Sequence, residues 1–202
     1  MKLFYEVSTS DFSNCYILGS EKHNAAVIVD PSGIKNTTVE IIENNNFHLK
    51  AILITHDHRH HVRGLRTLKK IYNVDIYAVN QNIMNHKTIM VKDGDKISID
   101  DFTIEVISIP GHSSDSVVYR IENMLFTGDV LTAGLVGSTA SAYGAATQMN
   151  KLRSRLLSLP GDYTVLPGHG PPSTLEAERR FNTDIIHYDQ NRSKRQIFRV
   201  DI

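Results

Sequence analysis

Ala51-Ile52-Leu53-Ile54-Thr55-His56-Asp57-His58-Arg59-His60-His61 joins a short, continuous apolar run to a dense group of histidines. The apolar run reads as a β-strand buried on both faces, and the histidines begin two residues beyond it. Alternate residues of an extended segment point the same way, so His56 and His58 can reach one metal while Asp57 turns aside. Val62, Leu65, Leu68 and Tyr72 follow at helical spacing and predict a helix over 62–72 that starts at the cluster. At its start His61 can turn towards a second metal.

The second half repeats this order of strand and then ligand. Residues 102–109 alternate, with Phe102, Ile104, Val106 and Ser108 on one side, and lead into Pro110-Gly111-His112. Residues 117–121 and 124–126 predict a hairpin whose second strand delivers Thr127-Gly128-Asp129. A strand over 164–166 delivers Pro167-Gly168-His169-Gly170. Neutral imidazoles suit zinc, iron and manganese alike, and an aspartate can bridge two cations with its two oxygens. His56, His58, His61, His112, Asp129 and His169 therefore read as a dinuclear metal centre, with glycines beside the ligands permitting tight turns. His23, His48, His86 and His187 occur singly in polar surroundings and carry no such reading.

Around these segments, strands are expected over 2–7, 14–18 and 25–29, with a turn at Asp30-Pro31-Ser32-Gly33. Helices are expected over 37–46, 148–158 and 174–188. Two sheets, each covered by helices, make a four-layer αββα arrangement of the α/β class. It should fill one domain over 1–190, with a tail over 191–202 that reads as frayed chain or as a strand added to a partner subunit.

Lys+Arg and Asp+Glu balance at 22 each, so no net field recruits nucleic acid or an anionic membrane. Arg63, Arg66, Lys69 and Lys70 read as the solvated face of an amphipathic helix rather than a nucleic-acid contact. The single cysteine, Cys15, excludes an internal disulfide framework and reads as a small buried hydrophobe. With no run approaching the ~18 apolar residues of a membrane span, a cytoplasmic protein acting on a small molecule is expected. Homo-oligomers stay open.

These segments resemble the metallo-β-lactamase superfamily, and within it the short glyoxalase II-like, or hydroxyacylglutathione hydrolase-like, branch. Thr55-His56-Asp57-His58-Arg59-His60-His61 matches the Thr-His-x-His-x-Asp-His signature, and Ile109-Pro110-Gly111-His112-Ser113 the third-histidine loop. Leu125-Phe126-Thr127-Gly128-Asp129 matches the bridging aspartate, and Val165-Leu166-Pro167-Gly168-His169-Gly170-Pro171 the final histidine. Asn14-Cys15-Tyr16-Ile17-Leu18 and Ile28-Val29-Asp30-Pro31 are similar to the family's opening strands. The resemblance implies that His56, His58 and His112 hold metal one, that Asp129 bridges, and that His61 and His169 belong to metal two.

Three departures qualify the match. The motif's aspartate, a ligand of metal two, is replaced by His60, which keeps a ligand but makes the cluster more positive by one charge; weaker hydrolytic activation and stronger anion attraction follow. The stretch after Gly128-Asp129 lacks the branch's arginine and aspartate and carries small residues over 133–146, with Tyr143 a candidate substrate contact. Only a short helix and tail are expected after His169, without the helical domain that supplies much of the glutathione pocket in full-length glyoxalase II. The leading expectation is a hydrolase of a thioester, lactone or related activated ester, with two divalent ions, zinc or iron with manganese as a third choice, supplying a metal-bound hydroxide. The alternative is a non-haem di-iron protein, without a flavin domain, that binds, reduces or senses oxygen for a signalling partner.

Overall fold

The computed structural model describes residues 1–188. The chain opens with a meander of β1 (Lys2–Val7), β2 (Asn14–Ser20) and β3 (Ala25–Val29), followed by α1 (Asn36–Asn44) and β4 (His48–Leu53). Two short helices, α2 (Arg59–Val62) and α3 (Leu65–Ile71), lead to β5 (Asp75–Ala78), a small hairpin of β6 (Asn82–Ile83) and β7 (His86–Lys87), and β8 (Ile89–Met90). Apart from the β6–β7 hairpin, these strands form a first sheet in the order β1-β2-β3-β4-β5-β8. The second half supplies β9 (Lys96–Ile99), β10 (Phe102–Ser108), β11 (Val117–Ile121) and β12 (Met124–Gly128), then a hairpin of β13 (Leu131–Thr132) and β14 (Leu135–Val136). After α4 (Ala142–Lys151) and a π turn over Leu152–Leu156 come β15 (Thr164–Pro167), β16 (Ser173–Thr174) and α5 (Leu175–Phe181). The second sheet runs β16-β15-β12-β11-β10-β9.

The apolar pattern of each central strand explains the layers. In β4, Ala51 and Leu53 face the space between the sheets, while Ile52 points to the other face with Ile42 of α1 and Leu65 and Leu68 of α3. In β10, Phe102, Ile104 and Val106 face the first sheet, and Ile107 packs with Met149, Leu152 and Leu156. Continuous apolar runs thus cover both faces of a sheet lying under helices. The result is the αββα sandwich, and none of its described helices is long and apolar enough to cross a membrane. Cys15 is buried in β2, and burial pushes its thiol pKa up.

Several boundaries differ from the sequence reading. The expected helix over 62–72 is two helices, because the Gly64 N–H turns to donate to the Pro31 carbonyl at 2.7 Å and breaks the run. The last helix is interrupted at buried Asn182, whose Oδ1 accepts from the Ile185 N–H at 3.2 Å and caps a second helical stretch over 183–188. The helix expected from 148 begins at Ala142, capped by Ser141 Oγ, which accepts from the Gly144 N–H at 3.0 Å. The proposed tail over 191–202, and the partner strand imagined there, lie outside the described residues.

Tyr119 joins the two sheets directly: its hydroxyl donates to the carbonyls of Ile54 (3.0 Å) and Tyr77 (3.2 Å) from within the core. Tyr119→Phe should lower stability by about 1 kcal/mol, the net worth of a buried hydrogen bond. Urea unfolding should show a lower midpoint with an unchanged slope.

Candidate metal centre

The site lies where chain ends leave the two sheets side by side. β3 and β4 are parallel neighbours in the first sheet, β12 and β15 in the second. Asp30 follows β3, Thr55 and His56 follow β4, Asp129 follows β12 and His169 follows β15. Cross-links hold these exits together: the Asn14 N–H donates to the Gly168 carbonyl (2.7 Å), Val117 N–H to Thr55 (2.9 Å), and Gly168 N–H to Gly128 (2.8 Å). Tyr16 Oη and Asn14 Nδ2 both donate to the Pro167 carbonyl, at 2.7 and 2.9 Å.

Glycine is required at two of these exits. Gly128 takes a φ of +50°, and a Cβ there would lie 2.4 Å from Thr55 Oγ1. At Gly168 a Cβ would meet His61 Cε1 at 2.4 Å and Asp129 Oδ1 at 2.6 Å.

Three ring nitrogens converge. His58 Nδ1 lies 2.9 Å from His56 Nε2 and 3.0 Å from His112 Nε2. The other nitrogen of each partner ring is already committed. His112 Nδ1–H donates to the Ser138 carbonyl at 2.8 Å. Thr55 Oγ1 donates to Asp30 Oδ2 at 2.6 Å and so accepts from His56 Nδ1–H at 3.1 Å. Both Nε2 atoms therefore present lone pairs to His58, and one proton at most can serve three nitrogens. A cation satisfies all of them: a tetrahedron with metal–nitrogen bonds of ~2.0–2.1 Å has edges of ~3.3 Å.

Asp129 extends this set. Its Oδ2 is 3.9 Å from His56 Nε2, 3.8 Å from His112 Nε2 and 3.2 Å from His61 Nε2, and its Oδ1 is 2.8 Å from His169 Nδ1. Two groups of donors result, His56, His58, His112 and Asp129, and His61, Asp129 and His169; within each, the ligand atoms lie within 4.8 Å of one another. His61 is held from behind by Asp30, whose Oδ2 accepts from Nδ1–H at 2.9 Å.

The electrostatics follow from burial and charge. Burial pushes the His56 pKa down to about 2, with the neighbouring His61 adding to the effect, and His58 is lowered by burial with His112 and His61 adding to it. Burial opposes a charged His61 too, but Asp30 and Asp129 on either side outweigh it and raise its pKa to about 10. Burial likewise opposes a charged Asp129, yet hydrogen bonds from His169 and His61 hold its carboxyl well below the usual range.

Two expected site residues stand apart from these groups. His60 is exposed on the rim, its ring 5.7 Å from that of His169 and 6.3 Å from that of His61, and it belongs to neither donor group. Tyr143 is 83% exposed on the first turn of α4. Asp30, Thr55 and Ser138 are the supporting residues whose roles the sequence did not disclose. Asp30 had a signal, since it follows an apolar strand as the ligands do; the Ser138 carbonyl had none.

A family model described as Metallo-beta-lactamase superfamily matches residues 9–169. The chain belongs to this superfamily. Among its relatives, hydroxyacylglutathione hydrolase GloC of Haemophilus influenzae is 28% identical over 193 residues, covering 84% of this chain and 91% of that protein. The crystal structure of ETHE1 from Myxococcus xanthus aligns with a TM-score of 0.83 at 23% identity, over 95% of this chain and 91% of the other, a likeness of fold. The crystal structure of TTHA1623 in a di-iron-bound form aligns with a TM-score of 0.75 at 25% identity, over 90% and 99% of the two chains.

Asp30→Asn tests the support of both donor groups at once. Loss of such a supporting partner should weaken binding of zinc by about 10- to 100-fold in chelator competition. In metal-stripped protein, the stability His61 contributes through its raised pKa is fully present below its ordinary 6.5 and is lost as pH rises through about 10. Urea unfolding of stripped protein should show that loss in the native chain and a flattened profile in Asp30→Asn.

Proposed function

We propose that the protein is a metal-dependent hydrolase of thioesters or related activated esters. The observation that carries this reading is the convergence of His56, His58 and His112 nitrogens beside an Asp129 carboxylate that also faces His61 and His169. His56, His58 and His112 would hold one divalent cation and His61 and His169 a second, with Asp129 between them, while His60 stands on the rim outside both sets. Such a cation lowers the pKa of a bound water from about 15.7 towards ~7 and polarises a carbonyl oxygen.

The chain's own residues do the positioning. Asp30 fixes His61 directly and His56 through Thr55, and Ser138 fixes His112. His56 and His61 are buried and form the floor, while His58 and His60 are exposed at the rim, so a substrate approaches from the rim side. Asp129 keeps its negative charge in this setting and remains a ligand rather than an acid. The relation to GloC favours a thioester as the activated ester.

A second reading, iron with oxygen chemistry, is favoured by one observation: the similarity to the di-iron-bound TTHA1623 structure. Replacement of the motif aspartate by His60 removes a negative charge and suits a bound anion in either case.

Protein purified anaerobically without added metal separates the two. About two zinc ions per chain, no air-dependent visible band and turnover of a lactoyl or acetyl thioester are expected; iron with an air-dependent band and no turnover would overturn the hydrolase reading. His60→Asp should raise thioester kcat, by about tenfold or more if water activation is what the imidazole weakens.

A further inference from the structure

Gln148 of α4 is fully buried, and only half of its amide is used. Its Nε2 donates to the Gly137 carbonyl at 2.8 Å and to the Val130 carbonyl at 3.4 Å. Its Oε1 is buried and accepts from no described group. The two carbonyls fix which way the amide points, because a turned amide would set oxygen against oxygen. A buried acceptor without a donor is costly, and a methionine would fill similar space without one. Packing alone therefore does not account for a glutamine here, whereas its two donations do.

Each contact of Gln148 lies one residue from the donor groups or their support. Gly137 precedes Ser138, whose carbonyl accepts from His112 Nδ1–H at 2.8 Å. Val130 follows Asp129, and its carbonyl also accepts from the Gly137 N–H at 3.3 Å. Gly111, which precedes His112, packs straight onto α4: a Cβ there would fall 2.4 Å from Gln148 Cβ and 2.6 Å from the Gly144 carbonyl oxygen. Gly137 is as tightly placed, since a Cβ on it would fall 1.6 Å from the Asp129 carbonyl oxygen. The two glycines thus let three backbone segments, 111–112, 129–130 and 137–138, close around one buried side chain.

We propose that Gln148 is a positioning residue of the metal centre: by holding the Gly137 carbonyl it fixes the Ser138 carbonyl, and through that the tautomer and ring orientation of His112. The inference rests on the reading of His112 as a metal ligand and not on the reaction. His112 Nε2 presents a lone pair only while its Nδ1–H is tied to an acceptor. For His61 that acceptor is the buried carboxylate of Asp30, and for His56 it is Thr55, which Asp30 holds. His112 has no such carboxylate behind it. Its acceptor belongs to Ser138, an exposed residue in irregular chain after β14, where neither a strand nor a helix fixes the carbonyl. A shift of about 1 Å there would take a 2.8 Å contact out of hydrogen-bond range. The amide of Gln148 supplies the missing restraint from inside the core.

Gln148→Met removes both donations and keeps the length of the side chain. In metal-stripped protein with ¹⁵N-labelled histidine, the imidazole N–H of His112 is identified by its absence from His112→Ala. Its exchange with solvent should be about tenfold or more faster in Gln148→Met than in the native chain. Zinc affinity in chelator competition should fall by about 10- to 100-fold, and the visible bands of the cobalt-substituted protein should change shape. Met149→Ala, a neighbouring truncation in the core under α4, should lower the urea midpoint yet leave His112 exchange and zinc affinity within about twofold of native. If Gln148→Met does not fold, Gln148→Asn carries the same test, its amide one methylene too short to reach both carbonyls. Native His112 exchange and zinc affinity in the folded variant would overturn the assignment, and so would equal losses in Met149→Ala. If the native chain binds no zinc or cobalt, the metal reading fails by itself, and the exchange of the His112 N–H alone decides whether Gln148 positions the ring.

Discussion

One buried carboxylate, Asp30, is the constraint around which the site is arranged. It accepts from Thr55 N–H at 2.8 Å, from Thr55 Oγ1 at 2.6 Å and from His61 Nδ1–H at 2.9 Å, and is 2% exposed. A carboxylate taken out of water costs several kcal/mol unless its lone pairs are met by donors. The chain meets that demand with the end of β4 and the start of α2, which fixes where His56 and His61 emerge. The residue also takes a positive φ of 49°, a conformation aspartate tolerates better than most side chains. A chain of hydrogen bonds then runs outward from it: through Thr55 to His56, and through His61 to Asp129 and His169.

The same logic explains why the ligands sit on exits from parallel strand pairs. Parallel neighbours end at the same edge of a sheet, so Asp30 with His56, and Asp129 with His169, start from adjacent backbones. Hydrogen bonds from Asn14 and Tyr16 of the first sheet to the last residue of β15 and to Gly170 beyond it then bring the second edge against the first. The donor groups are thus a product of sheet topology, with side-chain rotamers set afterwards by Asp30, Thr55 and Ser138.

Much of this was legible in the sequence, for physical reasons that differ by element. Runs such as Ala51-Ile52-Leu53-Ile54 bury both faces and so announce a central strand under helices. The histidines are conspicuous because imidazoles rarely crowd together after strands. What stayed hidden depended on tertiary partners. The helix break at Gly64 comes from the Pro31 carbonyl, and the early start of α4 from a serine cap ahead of small residues that read as loop. The short edge strands are made by pairing rather than composition: both residues of β8 are exposed, and β9 alternates exposed and half-buried residues.

The departure from the family motif at position 60 has a wider consequence when set beside Arg59. An aspartate at 60 would place a negative charge on the rim next to Arg59; the imidazole present places none there. Arg59 and His60 therefore act in one direction, making the solvent-facing side of the centre more attractive to an anion while the buried side keeps its charge balance through Asp30 and Asp129. The floor of buried histidines is fixed by internal carboxylates, and the rim stays exposed to solvent.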